Sequence, residues 1–265
     1  RAVDAHNFAA SAVPSEGVVR NATTVYPGRC RELLIVHRRL AELLRVPLMN
    51  VSVGKDRSRL LLYQEGGYYL PHFDSVLSRH WERIPLGVSL PSLGLPFLPR
   101  LATALVTLSG GFDGGELVFP YAKPRACALA RRLGPNELSP REAERELTSQ
   151  LTSQQGTADG GSAFAEAAAF RLQVLWQRYF KFWSALAANC SRLHEARDLE
   201  PAIARPSAGS AVIFYNHAAL PPRRPGYLAH VGGRPGELDP CALHMGCRVT
   251  QGHKVVLAHW LHVRP

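Results

Sequence analysis

Apolar residues recur at helical spacing in a few stretches, and elsewhere they gather in short runs cut by Gly, Pro and Asp. From Cys30 to Val46, "CRELLIVHRRLAELLRV" sets Leu33, Val36, Leu40, Leu43 and Leu44 on one face. Arg38, Arg39, Glu42 and Arg45 lie largely opposite, so the pattern predicts an amphipathic helix closed by Pro47. Its leucine stripe reads as core packing. The runs "LLLY" (60–63), "LATALVTL" (101–108), "ELVFP" (116–120), "SAVIFY" (210–215) and "VVLAHWLHV" (255–263) have strand length and composition. Many short strands divided by turn signals predict a sandwich or barrel rather than a βαβ sheet, and a jelly-roll-like core is expected.

Two segments interrupt that rhythm. Residues 75–99 are rich in proline and predict a loop over the core. Residues 121–205 open basic and Ala-rich, then reach "SPREAERELTSQL", where Ser139 is an N-cap, Pro140 the first helical position and Glu142 the partner in a capping box. After Gly160-Gly161 a second helix is expected from about Phe164 to Ala188. Its Trp176, Tyr179, Phe180, Phe182 and Trp183 are too many for one free face, so it should dock on the rest of the protein. No internal repeat is evident. The expectation is a single domain over residues 1–265, with insertions at about 75–99 and 121–205.

A chain of 265 residues with 46% hydrophobic content can bury one sizeable core. No run of about 18 apolar residues occurs, so no membrane span is expected in this stretch. The chain opens on Arg1 rather than Met, as expected of a processed or excised domain whose targeting sequence is missing. Five cysteines without a CxxC pair argue against structural zinc and allow one or two disulfides, their pairing open. Sequons at Asn21, Asn50 and Asn189 lean towards the endoplasmic reticulum or secretory pathway, with the cytoplasm as the alternative. The net charge of +10 would admit an anionic partner. The arginines are scattered along the sequence without an aromatic-interleaved stripe, so nucleic acid is not the expected partner. Oligomeric state stays open.

Candidate chemistry concentrates in "YQEGGYYLPHFD" (63–74), where His72 and Asp74 would share one side of an extended strand. Such a pair can grip a metal, or be chance in a chain with 11 histidines. Downstream, "LHMGCRVTQGHKVVLAHW" carries His244 and Lys254 on either side of Thr250-Gln251-Gly252, and a hairpin would bring both to one cavity. Two imidazoles and one carboxylate form the facial triad of non-haem Fe(II) oxygenases, which keeps positions open that a four-ligand zinc site closes. A buried Lys254 would need an anion, and the far carboxylate of a dicarboxylic acid would supply it. Lys254, Val256, Ala258 and Trp260 share one face of a period-two strand.

From Arg20 to Val263 these motifs resemble, in order, the prolyl 4-hydroxylases of the 2-oxoglutarate- and Fe(II)-dependent dioxygenase superfamily. Tyr63, Gly66, Tyr69, His72 and Asp74 match the family's Tyr-x-x-Gly-x-x-Tyr-x-x-His-x-Asp. "GGELVFP" (114–120) is similar to Gly-Gly-Glu-Thr-x-Phe-Pro, and "PSAGSAVIFYN" (206–216) to Pro-x-x-Gly-x-Ala-x-x-Phe-x-Asn. The stretch from Leu243 resembles Leu-His-x-Gly-Cys-x-Val-x-x-Gly-x-Lys with a later Trp.

The resemblance implies an α+β fold with a double-stranded β-helix core (jelly-roll, cupin-like), flanking N-terminal helices and a long helical insertion. It implies Fe(II) held by His72, Asp74 and His244, and 2-oxoglutarate as co-substrate paired through its distal carboxylate with Lys254 and hydrogen-bonded by Tyr63. O2 would be consumed and L-ascorbate would rescue oxidised iron. Tyr69, Arg100 and Trp260 would line a groove for a proline-containing peptide, hydroxylated as 2-oxoglutarate is decarboxylated to succinate and CO2. Leu117, Val255 and Thr107 depart from the family's usual Thr, Trp and Tyr, which bears on affinity and substrate choice. The alternatives are a relative acting on lysyl residues or alkylated nucleic acid, where Arg is usual at Lys254, and a non-catalytic peptide-binding module.

Overall fold

In the computed structural model, the described residues are 20–27, 31–44, 58–75, 100–133, 138, 174, 177–179, 181–195, 199–217 and 238–262. Twelve strands lie among them: β1 (Arg20–Asn21), β2 (Thr23–Val25), β3 (Ser58–Tyr63), β4 (Tyr68–His72), β5 (Arg100–Thr107), β6 (Asp113–Gly114), β7 (Leu117–Phe119), β8 (Ala202–Ala204), β9 (Ala211–Tyr215), β10 (His244–Gly246), β11 (Val249–Gln251) and β12 (Lys254–His262). One five-stranded antiparallel sheet runs β1-β4-β10-β7-β8 and another runs β2-β3-β12-β5-β9, with β6 and β11 pairing between them in sequence. Antiparallel sheets with few helices give the β-sandwich, or jelly-roll, type of arrangement.

The second sheet shows why "VVLAHWLHV" is apolar throughout rather than alternating. β12 is flanked by β3 and β5 and is covered on both faces. Lys254, Val256, Ala258 and Trp260 line a cavity, while Leu261 on the other face packs with Leu40 and Ala41 of the helix Arg31–Leu44. A strand buried on both faces loses the usual hydrophobic-in, polar-out alternation. The helix forms where its periodicity predicts, but its buried stripe is His37, Leu40 and Ala41, flanked by Val36 and Leu44, and Leu43 is exposed. Positions 37, 40, 41 and 44 follow the i, i+3, i+4, i+7 spacing, and Leu43 lies off that stripe. His37 takes the apolar face because its ring meets that of His259, with centroids 4.4 Å apart.

The first sheet packs on the segment that the sequence pattern treats as an interruption. Leu70, Val118, Leu243 and Met245 are fully buried with Ala126 and Ala130 from a helix at Pro124–Leu133, an element that the basic, Ala-rich opening did not announce. Residues 181–188 are helical. Tyr179, Trp183 and Ala187 join the same core, while Phe182 is exposed. The Tyr179 hydroxyl donates to the Pro71 carbonyl and so holds β4. The aromatic helix does dock, and β8 at the segment's end pairs with β7. The helix expected at "SPREAERELTSQL", the loop at 76–99, and Trp176 and Phe180 lie outside the described residues.

Two disulfides, Cys127–Cys241 and Cys190–Cys247, tie this segment to the chain on either side of β10. Each closes a long loop, 114 and 57 residues apart in sequence. Loop entropy assigns about 4–5 kcal/mol to each. Reduction under native conditions should therefore lower the melting temperature by about 10 °C or more, read by scanning calorimetry with and without dithiothreitol. An unchanged melting temperature in fully reduced protein would show that the bridges do not brace β10.

Candidate metal centre and its cavity

His244 opens β10 and stands directly opposite His72, the last residue of β4, in the antiparallel pair. Opposed residues in such a pair bring their side chains together, and the two ring centroids are 4.3 Å apart. Asp74 lies in the bend just past the strand, not within it, yet its carboxylate sits between the rings: Oδ1 is 3.5 Å from His72 Nε2 and Oδ2 is 3.6 Å from His244 Nε2. His72 Nδ1 donates to the Leu70 carbonyl at 2.9 Å and His244 Nδ1 to the Ala242 carbonyl at 3.0 Å. Since a carbonyl only accepts, both Nδ1 atoms carry hydrogen. In the neutral rings the bare Nε2 lone pairs then face a carboxylate. His72 and His244 are buried and Asp74 partly so, and one donor atom from each lies within 4.8 Å of the others.

The charge states suit a cation. Burial, reinforced by His72, lowers the pKa of His244 to about 4, so the ring is neutral at pH 7. Burial would raise the Asp74 pKa, but His244, His72 and Arg100 together outweigh it and hold the carboxyl group well below the usual range. With each Nδ1 hydrogen committed to a carbonyl, the two Nε2 atoms and the Asp74 carboxylate converge on a point that a positive ion would join. The rings are oriented by backbone carbonyls, the second-layer arrangement found around metal-binding histidines. This donor set fits a divalent metal with positions left open.

Lys254 and Tyr63 are cross-strand neighbours in the second sheet, facing the same cavity of about 260 Å³ as the triad. β10 and β12 are not the two arms of a hairpin, as the sequence suggested. They belong to different sheets, because β11 turns aside to pair with β6 and Gly252, at φ +76°, lets the chain cross over. Both side chains reach one cavity because the sheets face each other. The Lys254 ammonium is buried, donates to the Gly115 carbonyl and forms no ion pair with a carboxylate among the described residues. Burial lowers its pKa to about 8, which Glu116 only partly offsets. Gly115, at φ +66°, leaves room for the lysine stem, since a Cβ there would stand 3.1 Å from Lys254 Cδ. Tyr63 is buried, and burial pushes its hydroxyl pKa up, keeping it a neutral hydrogen-bond donor.

Tyr69, Arg100 and Trp260 also line the cavity. Tyr69 stacks on His72 with centroids 3.5 Å apart. The Arg100 guanidinium lies 4.0 Å from the centre of the buried Trp260 ring and donates to the Asp74 carbonyl at 2.7 Å, so it also fixes the backbone of a triad residue. Ser75 does related work: its hydroxyl accepts from the Arg100 N–H and bonds the buried His217 at 2.8 Å. Arg20, Arg59 and Ser75, which also line the cavity, and His217 behind Ser75 escaped the sequence reading. A signal existed for Arg59, since Arg59, Leu61 and Tyr63 share the period-two face of β3 that meets the cavity.

Solved structures similar to this chain include a viral collagen prolyl hydroxylase from Paramecium Bursaria Chlorella virus-1 in complex with 2OG, 14% identical, with a TM-score of 0.41 over 94% of this chain and 84% of that one. A Pseudomonas putida prolyl-4-hydroxylase is 14% identical, with a TM-score of 0.40 over 99% and 80% of the two chains. A truncated form of the viral enzyme is 15% identical, with a TM-score of 0.41 over 91% and 74%. No protein-family model and no curated protein matches the chain. At this level of likeness the function has to be argued from the site itself.

The buried ammonium gives a test with a definite sign. The folded protein releases the Lys254 proton near pH 8, while the unfolded chain holds it to about 10.5. Between those values the unfolded state binds more protons, so this group's contribution to stability rises with pH. Lys254→Met should lack the rise. Its advantage over wild type in urea unfolding should shrink by on the order of 2 kcal/mol between pH 7.5 and pH 10. Parallel pH profiles would mean that Lys254 is solvated.

Proposed function

We propose that the chain is a 2-oxoglutarate- and Fe(II)-dependent dioxygenase, built on a double-stranded β-helix core, that hydroxylates a peptidyl proline. The observation that carries this reading is the pair of carbonyl-locked imidazoles turning their Nε2 atoms onto one carboxylate, across a cavity from a buried lysine that lacks a carboxylate partner among the described residues. When bound, Fe(II) with O2 and 2-oxoglutarate would supply the oxidising power to place one oxygen atom in an unactivated C–H bond, with 2-oxoglutarate leaving as succinate and CO2.

The chain's own residues position and shield that chemistry. His72, Asp74 and His244 hold the metal from one side. The carbonyls of Leu70 and Ala242 stop the rings from turning, and Arg100 and Ser75 steady the bend that carries Asp74. Lys254 neutralises the distal carboxylate of the co-substrate, and the Tyr63 hydroxyl donates to the same group. Leu117 and Thr107 complete the lining near this end, while Val255 does not line the cavity. Tyr69, Arg100 and Trp260 wall the side where a peptide would lie. L-ascorbate would serve to return oxidised metal to the ferrous state. Two disulfides and exposed sequon asparagines at 21 and 189 support an oxidising, secretory location.

Two outcomes test the reading. His72→Ala, Asp74→Ala and His244→Ala should each abolish 2-oxoglutarate turnover, measured as succinate formation, because two protein ligands are too few to hold an open-sited metal. Full turnover in any purified variant would show the triad to be misassigned. Lys254→Ala should weaken 2-oxoglutarate binding by roughly thirty-fold or more in anaerobic Fe(II) protein, with iron affinity little changed and Lys254→Arg recovering only part. Wild-type co-substrate affinity in Lys254→Ala would remove Lys254 from the site.

A further inference from the structure

Asp74 is the triad residue that the sheets hold least. His72 and His244 stand opposite each other in paired strands, whereas Asp74 lies in the bend beyond β4, outside the ladder. A ligand placed there has to be held by side chains. Arg100 supplies two contacts: its guanidinium donates to the Asp74 carbonyl at 2.7 Å, and its N–H donates to the Ser75 hydroxyl at 3.2 Å.

Ser75 itself is held from the other sheet. Its oxygen is 2.8 Å from Nε2 of His217, a residue 142 positions away in sequence that stands just past the end of β9. His217 follows the motif-like "PSAGSAVIFYN" and belongs to none of the motifs that point to the site. Both side chains are buried, so breaking the bond would leave polar atoms that cannot turn to water instead.

The same dipeptide, Asn216-His217, also reaches the other side of the triad. Asn216 Nδ2 donates to the Arg100 carbonyl at 2.9 Å and fixes the start of β5. The Asn216 carbonyl accepts the Asp239 N–H at 2.9 Å, and His217 pairs with Leu238 in an antiparallel bridge. The Asp239 carbonyl accepts the Ala242 N–H, and the Ala242 carbonyl is the group that takes the Nδ1 hydrogen of His244. One short stretch at the edge of the second sheet thus carries the turn that orients His244 through its backbone, and the bend that presents Asp74 through the His217 side chain. β4 and β10 belong to the first sheet, so this strut ties the two sheets together beside the triad.

We infer that His217 is a positioning residue: through Ser75 it sets where the Asp74 carboxylate stands relative to the two imidazoles, and so sets metal affinity. The inference rests on the metal-centre reading of the triad. His217 stands behind Ser75 rather than in the cavity lining, so it acts through that hydroxyl. A residue that only filled space could be replaced by any side chain of similar size. One that positions Ser75 needs a hydrogen-bonding atom.

The test titrates the full chain anaerobically with Co(II), a divalent probe whose visible absorption reports its ligands, in the absence of co-substrate. Wild type should bind Co(II), and His72→Ala should abolish binding. Ser75→Ala and His217→Leu should each weaken it by about ten-fold or more, as expected when a group behind a metal ligand is removed. His217→Gln, whose amide can donate or accept, should stay within about three-fold of wild type. The double variant S75A/H217L should bind no more than about two-fold weaker than the weaker single variant, since both substitutions remove one bond. Ser75→Ala deletes only a hydroxyl and decides the matter by itself should His217→Leu fail to fold. Wild-type affinity in Ser75→Ala or in folded His217→Leu, equal losses in His217→Leu and His217→Gln, or additive losses in the double variant would overturn the inference. Absent Co(II) binding in wild type, or binding that survives His72→Ala, would sink the metal-centre reading and the inference with it. Binding lost in His72→Ala but untouched in Ser75→Ala sinks the inference alone.

Discussion

The site depends on one register: His244 opposite His72 across β4 and β10. A shift of one residue would turn every side chain of a strand to the other face and separate the three side chains of the candidate metal site. The surroundings are arranged to hold that register. The core beneath it is built from Leu70, Leu243 and Met245, the residues next to the two histidines and one step further back. Tyr179 anchors Pro71, and the disulfides fasten β10 at Cys241 and Cys247, three residues before and after His244. The segment from 121 to 205 is thus not an ornament on the sandwich, since its described parts clamp the strand that carries His244.

Much of this was legible in the sequence. Strand runs, the first helix and the HxD pair follow from periodicity, because side-chain alternation and helical spacing are local properties. His244 and Lys254 could be picked out by their company around Gly252. What escaped is whatever depends on which sheet a strand joins. The hairpin expected between His244 and Lys254 became a crossover because β11 pairs with β6, a partner more than a hundred residues upstream. Leu43 was expected in the core for its hydrophobicity and lies exposed, while His37 is buried because His259, on a distant strand, packs against it. The same limit hid the cavity arginines: Arg20, Arg59 and Arg100 come from three strands in two sheets, and no linear pattern unites them.

The cavity is lined by cationic side chains of two kinds. Lys254 is buried with a lowered pKa, and an anion beside it would offset the cost of its burial. Arg20, Arg59 and Arg100 are braced on aromatic rings, which fixes the planes of their guanidiniums. Between them the triad is shielded but not closed.

That account stands or falls on the metal. Crystals of the protein soaked anaerobically with Fe(II), with diffraction recorded on both sides of the iron absorption edge, address it most directly. The account predicts one strong anomalous peak within bonding distance of His72 Nε2, a carboxylate oxygen of Asp74 and His244 Nε2, with the Nδ1 bonds to Leu70 and Ala242 intact. Rings turned to place Nδ1 inward, or iron bound elsewhere with the three side chains unligated, would contradict it.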